Sequence, residues 1–272
     1  MRRMATPAPV TSTRLSYLVC ATPRSGSSFL CEVLSSTGVA GRPDDFFWNP
    51  PFWFAEWGAA DFASFAQRLF HEGTSANGVF SSKLMWDQLD YVARQFATLL
   101  SLGEAAPPHV LGTAFPNLHY VRLSRRDKIR QGISYYRALE TKIWRSTDVS
   151  NGAQVEPSFN FEAIRSLVQL CTSEDQAWDG YFRLHGIEPC TVVYEDLLES
   201  PADVARQVLS YLAVPLPAPL FSQRAWRHQR QSDATSEEWR ERYNECEHAV
   251  QRALTASTRV RVGGLCQRAR SR

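Results

Sequence analysis

The residues best suited to chemistry form a short polar loop near the start of the chain, Thr22-Pro23-Arg24-Ser25-Gly26-Ser27-Ser28. An apolar run at 15–21 precedes the loop and predicts a buried strand, and the run at 29–34 predicts a helix. A helix N-terminus leaves backbone N–H groups without intrahelical partners and favours negative charge. Gly26 allows close backbone approach, the hydroxyls add donors, and Arg24 adds a cation. The loop therefore predicts a binding site for a phosphate-type anion, with an ordinary serine-rich turn as the alternative.

The same loop is close to a Walker A motif but lacks its lysine. That motif reads G-x-x-x-x-G-K-[ST]. Gly26 stands at the second glycine, whereas Ala21 replaces the first glycine and Ser27 occupies the lysine position. Handling of the γ-phosphate of ATP or GTP is therefore not expected, which disfavours a P-loop-like small-molecule kinase.

A second basic segment, Arg125-Arg126-Asp127-Lys128, follows a predicted strand at 118–123 and enters a helix. Ser134 lies two helical turns later, near the face of Arg125 or Arg126. In a doubly wound sheet, ligands gather outside the carboxyl ends of the strands. The two basic segments are therefore expected to flank one crevice and to bind a ligand with two separate phosphates. The alternative is a solvated arginine pair beside a helix start.

Strand-like and helix-like segments alternate along the 272 residues, of which 44% are hydrophobic. This alternation predicts an α/β, P-loop-like, three-layer fold with a central, mostly parallel sheet flanked by helices. Further strands are predicted at 78–86 and 190–194, and a loop at 103–116. The aromatic stretch 46–57 is expected to be a lid or substrate wall, or a surface-packing loop. Helices are predicted at 62–70, 87–100, 128–143, 161–184, from 201 and from about 236.

One domain is expected at 14–254, between a flexible leader at 1–13 and a basic tail at 255–272. The net charge is +2, and the tail alone carries five arginines and no acid, which leaves residues 1–254 at −3 and argues against nucleic-acid binding. The six cysteines include no C-x-x-C pair, and the sequence contains no signal peptide or membrane-spanning run. These features predict a cytoplasmic protein.

Several segments together resemble the sulfotransferase family of the trehalose 2-sulfotransferase type, which includes nodulation-type and lipopolysaccharide-type relatives. The run from Arg125 to Ser134 is similar to the family's 3′-phosphate segment, and residues 23–28 resemble its 5′-phosphosulfate loop. The resemblance covers about residues 15–243 and continues in these stretches: 37–41, 83–86, 136–138, 141–144, 194–197, 231–233 and 236–239.

The resemblance implies transfer of a sulfuryl group from 3′-phosphoadenosine 5′-phosphosulfate to a hydroxyl of a carbohydrate, glycolipid or other small molecule. The product would be adenosine 3′,5′-bisphosphate, and no metal is required. Arg24 to Ser28 would hold the 5′-phosphosulfate, and Arg125 or Arg126 with Ser134 the 3′-phosphate. A homodimer is a further expectation, and a catalytically silent nucleotide-binding protein is the non-enzyme alternative.

A base is needed because an alcohol is a poor nucleophile until its proton is accepted. The family places a glutamate in the segment after the first helix, and alignment on Phe46-Phe47 puts Asp45 at that position. Aspartate is one methylene shorter, so the acceptor must approach more closely. Asp45 is therefore predicted as the base, assisted by Arg24 at the reacting group. The alternative is that Asp44 and Asp45 are surface turn residues.

The acceptor side departs from the family pattern. Pro23 stands where the trehalose enzyme has a glutamine, so trehalose is not inherited as the acceptor. Lys83 is expected to contact the leaving oxygen or the acceptor, or to be a strand-edge lysine. Charged residues at 173–175 are expected to be a solvated helix face, and Trp178, Phe182 and Leu184 core positions. The predicted acceptor-binding residues are Pro23, Arg42, Pro43, Asp44, Phe46, Phe47, Trp48, Trp53, Trp57 and Lys83.

Overall fold

The computed structural model describes residues 13–144, 157–216 and 234–269, with side chains as far as 253 in the last range. Two compact units divide the chain: the first contains residues 1–126 and 170–229, and the second contains 127–169 and 230–272. The strands are β1 (Leu15–Ala21), β2 (Val79–Met85), β3 (Leu118–Ser124) and β4 (Cys190–Val193). The helices are α1 (Ser27–Ser36), α2 (Pro50–Trp57), α3 (Phe62–Gly73), α4 (Leu89–Leu99), α5 (Pro107–Ala114), α6 (Lys128–Thr141), α7 (Phe161–Leu184), α8 (Tyr194–Glu199), α9 (Pro201–Tyr211) and α10 (Ala234–Ala269).

The first unit contains a parallel sheet in the order β2-β1-β3-β4. Leu15 pairs with Val79 on one side of β1, and Ser16 pairs with Leu118 on the other. Strands β2 and β3 therefore lie on opposite sides of β1, and the chain crosses from one side to the other between them. This creates a topological switch point at the carboxyl end of β1. The loop at 22–28 lies at this point. The predicted α/β fold with a central, mostly parallel sheet is confirmed.

Alternate residues of β1 enter two separate cores, one on each face of the sheet. Tyr17 and Val19 belong to a core that includes residues of α1 and α9. Leu18 and Cys20 belong to the opposite core, with residues of α3, α4, α5 and the second half of α7. The sheet is thus covered by helices on both faces, as its near-continuous apolar strands require.

The second unit has a small core of its own, built from α6, α10 and the first part of α7. Asp127 caps α6, with its Oδ1 accepting a hydrogen bond from the Arg130 amide at 2.9 Å. Arg130 also donates to Glu237 Oε1 of α10 at 2.6 Å. The core residues are Ile133, Tyr136, Ile164, Trp239 and Tyr243.

Two of the predicted loops are wrong because each contains a helix. The segment 103–116 holds α5, whose first turn is formed by a Pro-Pro pair, a position that proline tolerates well. The aromatic stretch 46–57 holds α2, which begins with a second Pro-Pro pair after Asn49, whose side chain accepts from the Phe52 amide. Among the described helices, none is long and apolar enough to cross a membrane.

Some predicted segments fall where the structure gives no description. The leader up to residue 12 and the stretch 231–233 lie outside the described residues, as do residues 270–272 of the tail. The backbone of α10 continues through the earlier part of the tail, to Ala269. The boundaries of the single domain at 14–254 stay a prediction.

Candidate active site

The loop after β1 has the features of an anion-binding site. Gly26 caps α1 in the left-handed conformation, with a φ of 94°, and as a glycine it has no side chain to bond the first amides of this helix. Ser25 Oγ is buried and has no hydrogen-bond partner among the described residues. Arg24 also has a positive φ, of 61°, which is uncommon for a residue with a side chain. The first amides of α1, the buried hydroxyl of Ser25 and the cationic side chain of Arg24 belong to one loop, and such donors suit an anion. The positive φ of Arg24 is a further sign of a functional site.

Tyr194 and Arg125 pack around the glycine of this loop. A Cβ on Gly26 would lie 2.2 Å from Cδ2 of Tyr194, so no larger residue fits. The guanidinium carbon of Arg125 lies 4.6 Å from the centroid of the Tyr194 ring, a cation–π distance. Arg125 Nη1 also donates to the Arg24 carbonyl at 3.0 Å. Tyr194 was missed as a site residue, although its place at the end of β4 is a signal.

The two neighbouring arginines have different surroundings. The Arg126 side chain is exposed, and its Nη2 donates to the Asp196 carboxylate at 2.7 and 3.0 Å. Its backbone amide donates to Glu195 Oε2 at 3.1 Å. Arg125 instead lies against the loop after β1. Ser134, the third predicted 3′-phosphate residue, lies on α6 in the second unit.

Asp45 is fixed by a buried lysine. Lys83 Nζ lies 2.8 Å from Asp45 Oδ2, and the two side chains are 5% and 18% exposed. The backbone amide of Lys83 donates to the Asp44 carbonyl at 3.0 Å, which holds the turn against β2. Asp45 Oδ1 is buried and has no hydrogen-bond partner among the described residues. The carboxylate is therefore anchored through one oxygen, while the other is available to accept a proton.

The aromatic residues after Asp45 form its support and an exposed edge. The Asp45 carbonyl accepts hydrogen bonds from Trp53 Nε1 at 3.1 Å and from the Trp48 amide at 3.2 Å. Phe46 is buried, and its ring centroid lies 5.6 Å from that of Trp53. Trp48 is 60% exposed and Phe52 47% exposed. Trp53 of α2 thus stabilises the Asp45 turn, while Trp48 and Phe52 present apolar rings to solvent.

The remaining predicted acceptor residues have mostly structural contacts. Arg42 Nη2 donates to the carbonyls of His71 and Thr74 at 2.6 and 2.8 Å, which ties this turn to the end of α3. Asp44 Oδ1 accepts from the Asp45 amide at 2.7 Å. Trp57 lines a shallow surface cavity of about 250 Å³ between α2 and α3. Phe47 and Pro43 are buried, and Pro23 is half-buried beside Arg24.

The prediction of a solvated helix face at 173–175 is wrong for two of its residues, because Glu174 and Asp175 are each only 8% exposed. Asp175 Oδ1 lies 2.7 Å from Arg122 Nη2 and accepts from Thr22 Oγ1 at 3.4 Å. Trp178 Nε1 donates to the Ala21 carbonyl at 3.0 Å. This part of α7 therefore packs against the carboxyl end of β1.

Trp178 and Phe182 are buried as predicted, whereas Leu184 is 79% exposed and was wrongly assigned to the core. The i, i+4, i+7 spacing of Cys171, Asp175 and Trp178 was the sequence signal that this face of α7 is buried.

The acidic residues near this end of the sheet influence one another. Burial, together with the charges of Asp87 and Asp175, raises the pKa of Glu174 to about 7. Desolvation also raises the pKa of Asp87, with a further contribution from Asp45 against backbone hydrogen bonds that lower it. These shifts indicate that Asp45, Asp87 and Glu174 are electrostatic neighbours. Within the described ranges, no group of three or more His, Cys, Asp or Glu residues is arranged to hold a metal ion.

Comparison with known proteins gives a consistent result. A family model described as Stf0 sulphotransferase matches residues 16–246. Trehalose 2-sulfotransferase of Mycobacterium tuberculosis (strain ATCC 35801 / TMC 107 / Erdman) is 28% identical over 261 residues, which cover 84% of this chain and 93% of the relative. The enzyme of the same name from Mycolicibacterium smegmatis (strain ATCC 700084 / mc(2)155) is also 28% identical, with the same coverage of both chains.

Among solved structures, the sulfotransferase domain from the curacin biosynthetic pathway aligns with a TM-score of 0.47 at 16% identity. That alignment covers 83% of this chain and 82% of the domain.

Proposed function

The chain belongs to the Stf0 sulphotransferase family, and we propose that it moves a sulfuryl group from 3′-phosphoadenosine 5′-phosphosulfate to a hydroxyl of a small acceptor of the carbohydrate type. Family membership supports the reaction, and the similarity to two trehalose 2-sulfotransferases supports the class of acceptor. The observation that carries the proposal is the state of Asp45. One of its oxygens is held by Lys83, and the other is buried without a partner among the described residues.

The donor would bind at the loop after β1. The uncapped amides at the start of α1 and the buried hydroxyl of Ser25 would receive the 5′-phosphosulfate, with Arg24 and the hydroxyls of Ser27 and Ser28. We assign a donor phosphate to Arg125 rather than to Arg126. Arg125 is bonded to the loop itself, whereas Arg126 is exposed and occupied by Asp196. Ser134 stays a sequence-based prediction for the 3′-phosphate.

Asp45 would act as the base. Its Oδ1 accepts the proton of the acceptor hydroxyl, while the hydroxyl oxygen forms a bond to sulfur. The bond between sulfur and the 5′-phosphate oxygen breaks, and its electron pair stays on the phosphate. The amides of the loop and the guanidinium groups of Arg24 and Arg125 stabilise this developing charge. Sulfuryl transfer needs in-line positioning above all, and the rigid loop and the anchored carboxylate are suited to it.

Lys83 has two roles in this proposal. Its ammonium group holds Asp45 in one orientation, so that Oδ1 faces the acceptor. It is also a buried cation next to the reacting groups, and it remains there when Asp45 becomes neutral by accepting the proton. The cytoplasmic location and the homodimer stay predictions from the sequence.

The proposal is tested with isotope-labelled donor and a pooled metabolite extract, by mass spectrometry for products that have gained the labelled sulfate. Replacement of the base in Asp45→Asn is expected to lower turnover about 10²–10⁴-fold, since general-base catalysis contributes that much. Affinity for adenosine 3′,5′-bisphosphate should stay within about twofold, because the donor loop is untouched.

The matched control is Asp90→Asn, which changes an exposed carboxylate on α4 and is expected to keep full turnover. Wild-type turnover in Asp45→Asn would remove Asp45 as the base. A wild-type protein that binds the bisphosphate yet sulfates nothing would favour the catalytically silent alternative.

A further inference from the structure

We propose that the acceptor carries a protonated amine, and that the carboxyl groups of Glu174 and Asp87 bind this ammonium group next to Asp45. The inference rests on the proposed function, because it names the chemical class of the acceptor for the same site. It would make the acceptor an amino alcohol or an amino sugar rather than a neutral sugar. Four observations on the first unit support it.

The first observation is the state of Glu174. Glu174 as a whole is 8% exposed, and its Oε2 is buried with no hydrogen-bond partner among the described residues. A buried polar atom without a partner is costly, and native proteins rarely keep one without a purpose. A ligand that donates to this oxygen would remove the cost.

The second observation is the position of Glu174 on α7, between two residues that contact the carboxyl end of β1. Asp175 accepts from Thr22 at 3.4 Å, and Trp178, one turn further on, donates to the Ala21 carbonyl at 3.0 Å. These contacts hold Glu174 near the loop that would bind the donor. The carboxyl end of a parallel sheet is where ligands bind in this class of fold.

The third observation joins Asp87 to this group. The ring of Trp86 meets the ring of Trp178 edge-on, with centroids 5.2 Å apart. Asp87 follows Trp86 directly after β2, the strand that also carries Lys83. The charge of Asp87 raises the pKa of Glu174, and the charge of Asp45 raises the pKa of Asp87. Lys83, which holds Asp45, and Trp86, which packs on Trp178 of α7, lie at the same end of β2, so the three carboxyl groups belong to one edge of the sheet.

The fourth observation is a mismatch of charge. Asp45 is paired with Lys83 at 2.8 Å, and Asp175 with Arg122 at 2.7 Å. Glu174 and Asp87 make no ion pair with any described residue. A phosphate-bearing donor bound nearby would add negative charge rather than compensate it. An ammonium group on the acceptor supplies the missing cation and donates up to three hydrogen bonds.

The proposal predicts a specific dependence on pH. The groups that face Glu174 are Asp87, after β2, and Asp175, on α7, whose charge is balanced by Arg122 of β3. Because the pKa of Glu174 is about 7, its ionised fraction rises about tenfold between pH 6 and pH 8. A primary alkylamine stays protonated over this range. Its affinity should therefore rise by about the same factor, and the affinity of its amide should not.

The experiment uses the full chain, loaded with adenosine 3′,5′-bisphosphate, and calorimetric titration at pH 6 and pH 8. The probes are 4-aminobutan-1-ol and its N-acetyl derivative, which differ in charge and share the hydroxyl. At pH 8 we expect the amine to bind at least about tenfold more tightly than the amide, as for other charge-assisted hydrogen bonds. The variant Glu174→Gln should lose both the preference and its pH dependence. The control Glu104→Gln, at an exposed loop position, should keep both.

Each outcome decides the proposal. If amine and amide bind equally, or if neither binds, the inference is overturned while the proposed function stands. If the bisphosphate itself does not bind, the proposed function fails and the inference fails with it. If Glu174→Gln does not fold, Asp87→Asn replaces it, because Asp87 is exposed and its replacement leaves the core intact. An unchanged amine preference in Asp87→Asn would then contradict the proposal.

Discussion

The two sides of the candidate site differ in how their charged groups are satisfied. On the donor side, Arg125 is bonded to the Arg24 carbonyl and lies over Tyr194, which in turn packs on Gly26. On the acceptor side, Asp45 Oδ1 and Glu174 Oε2 are buried without partners among the described residues. On the proposed donor side, the cationic group is held by contacts within the protein, and Ser25 Oγ is left without a partner among the described residues. On the proposed acceptor side, the carboxylates themselves retain oxygens that a ligand can satisfy.

This difference follows from what each side is proposed to bind. A loop that binds an invariant donor can be built rigidly around backbone amides. An acceptor site must instead match one molecule, so its side chains keep unsatisfied polar atoms and exposed rings such as Trp48. Changes on the donor side should therefore act on donor affinity alone. Changes on the acceptor side should act on acceptor choice and on stability.

The largest effect is expected for Glu174→Gln, measured as the free energy of unfolding in denaturant. The pKa of Glu174 is raised from 4.5 to about 7, so its ionisation disfavours the folded state. The contribution of Glu174 to the free energy of unfolding of the wild-type protein is fully present below pH 4.5, and it is lost as the pH rises to about 7. The variant does not titrate, so its stability relative to wild type should increase by about 2–3 kcal/mol between pH 5 and pH 8. A difference that does not change with pH would contradict the raised pKa of Glu174.

The next effect tests the donor side through a matched pair of glycines. Gly26 and Gly38 both have positive φ, at 94° and 71°. A Cβ at Gly26 would collide with Tyr194 at 2.2 Å, whereas one at Gly38 would meet nothing within 4 Å. Gly26→Ala should weaken bisphosphate binding by about a hundredfold, and Gly38→Ala should cost about 1–2 kcal/mol of stability with unchanged binding.

Calorimetric titration of the bisphosphate measures the binding of both glycine variants. Equal binding by Gly26→Ala and Gly38→Ala would show that the packing of Tyr194 on Gly26 does not shape the donor loop.

The smallest effect compares the two neighbouring arginines. Arg125→Gln should weaken bisphosphate binding by about tenfold or more, because a charge-assisted hydrogen bond contributes about 1.5–3 kcal/mol. Arg126→Gln should change the affinity by less than about threefold, because its exposed pair with Asp196 contributes at most about 1 kcal/mol. The reverse order would move the phosphate contact to Arg126 and leave Arg125 as a structural tie to the loop.

The sequence predicted the secondary structure around the proposed donor site better than that around the proposed acceptor site, for a physical reason. Strand, loop and helix are adjacent in the chain, so β1, the loop and α1 follow from local pattern and glycine chemistry. Asp45 was reached through the resemblance. The burial of Glu174 and Asp175 was missed, because it depends on the packing of α7 on Ala21 and Thr22, about 150 residues away in the chain. Helices α2 and α5 were missed because each begins with two prolines that interrupt the helical pattern.

The central claim is that the loop after β1 binds a nucleotide with separate phosphates, for sulfuryl transfer rather than for triphosphate chemistry. Calorimetric titration of the wild-type chain with adenosine 3′,5′-bisphosphate, and separately with ATP and Mg²⁺, tests it most directly. We expect binding of the bisphosphate and at least about a hundredfold weaker binding of ATP, since Ser27 occupies the position of the Walker lysine. Tighter binding of ATP than of the bisphosphate would contradict it.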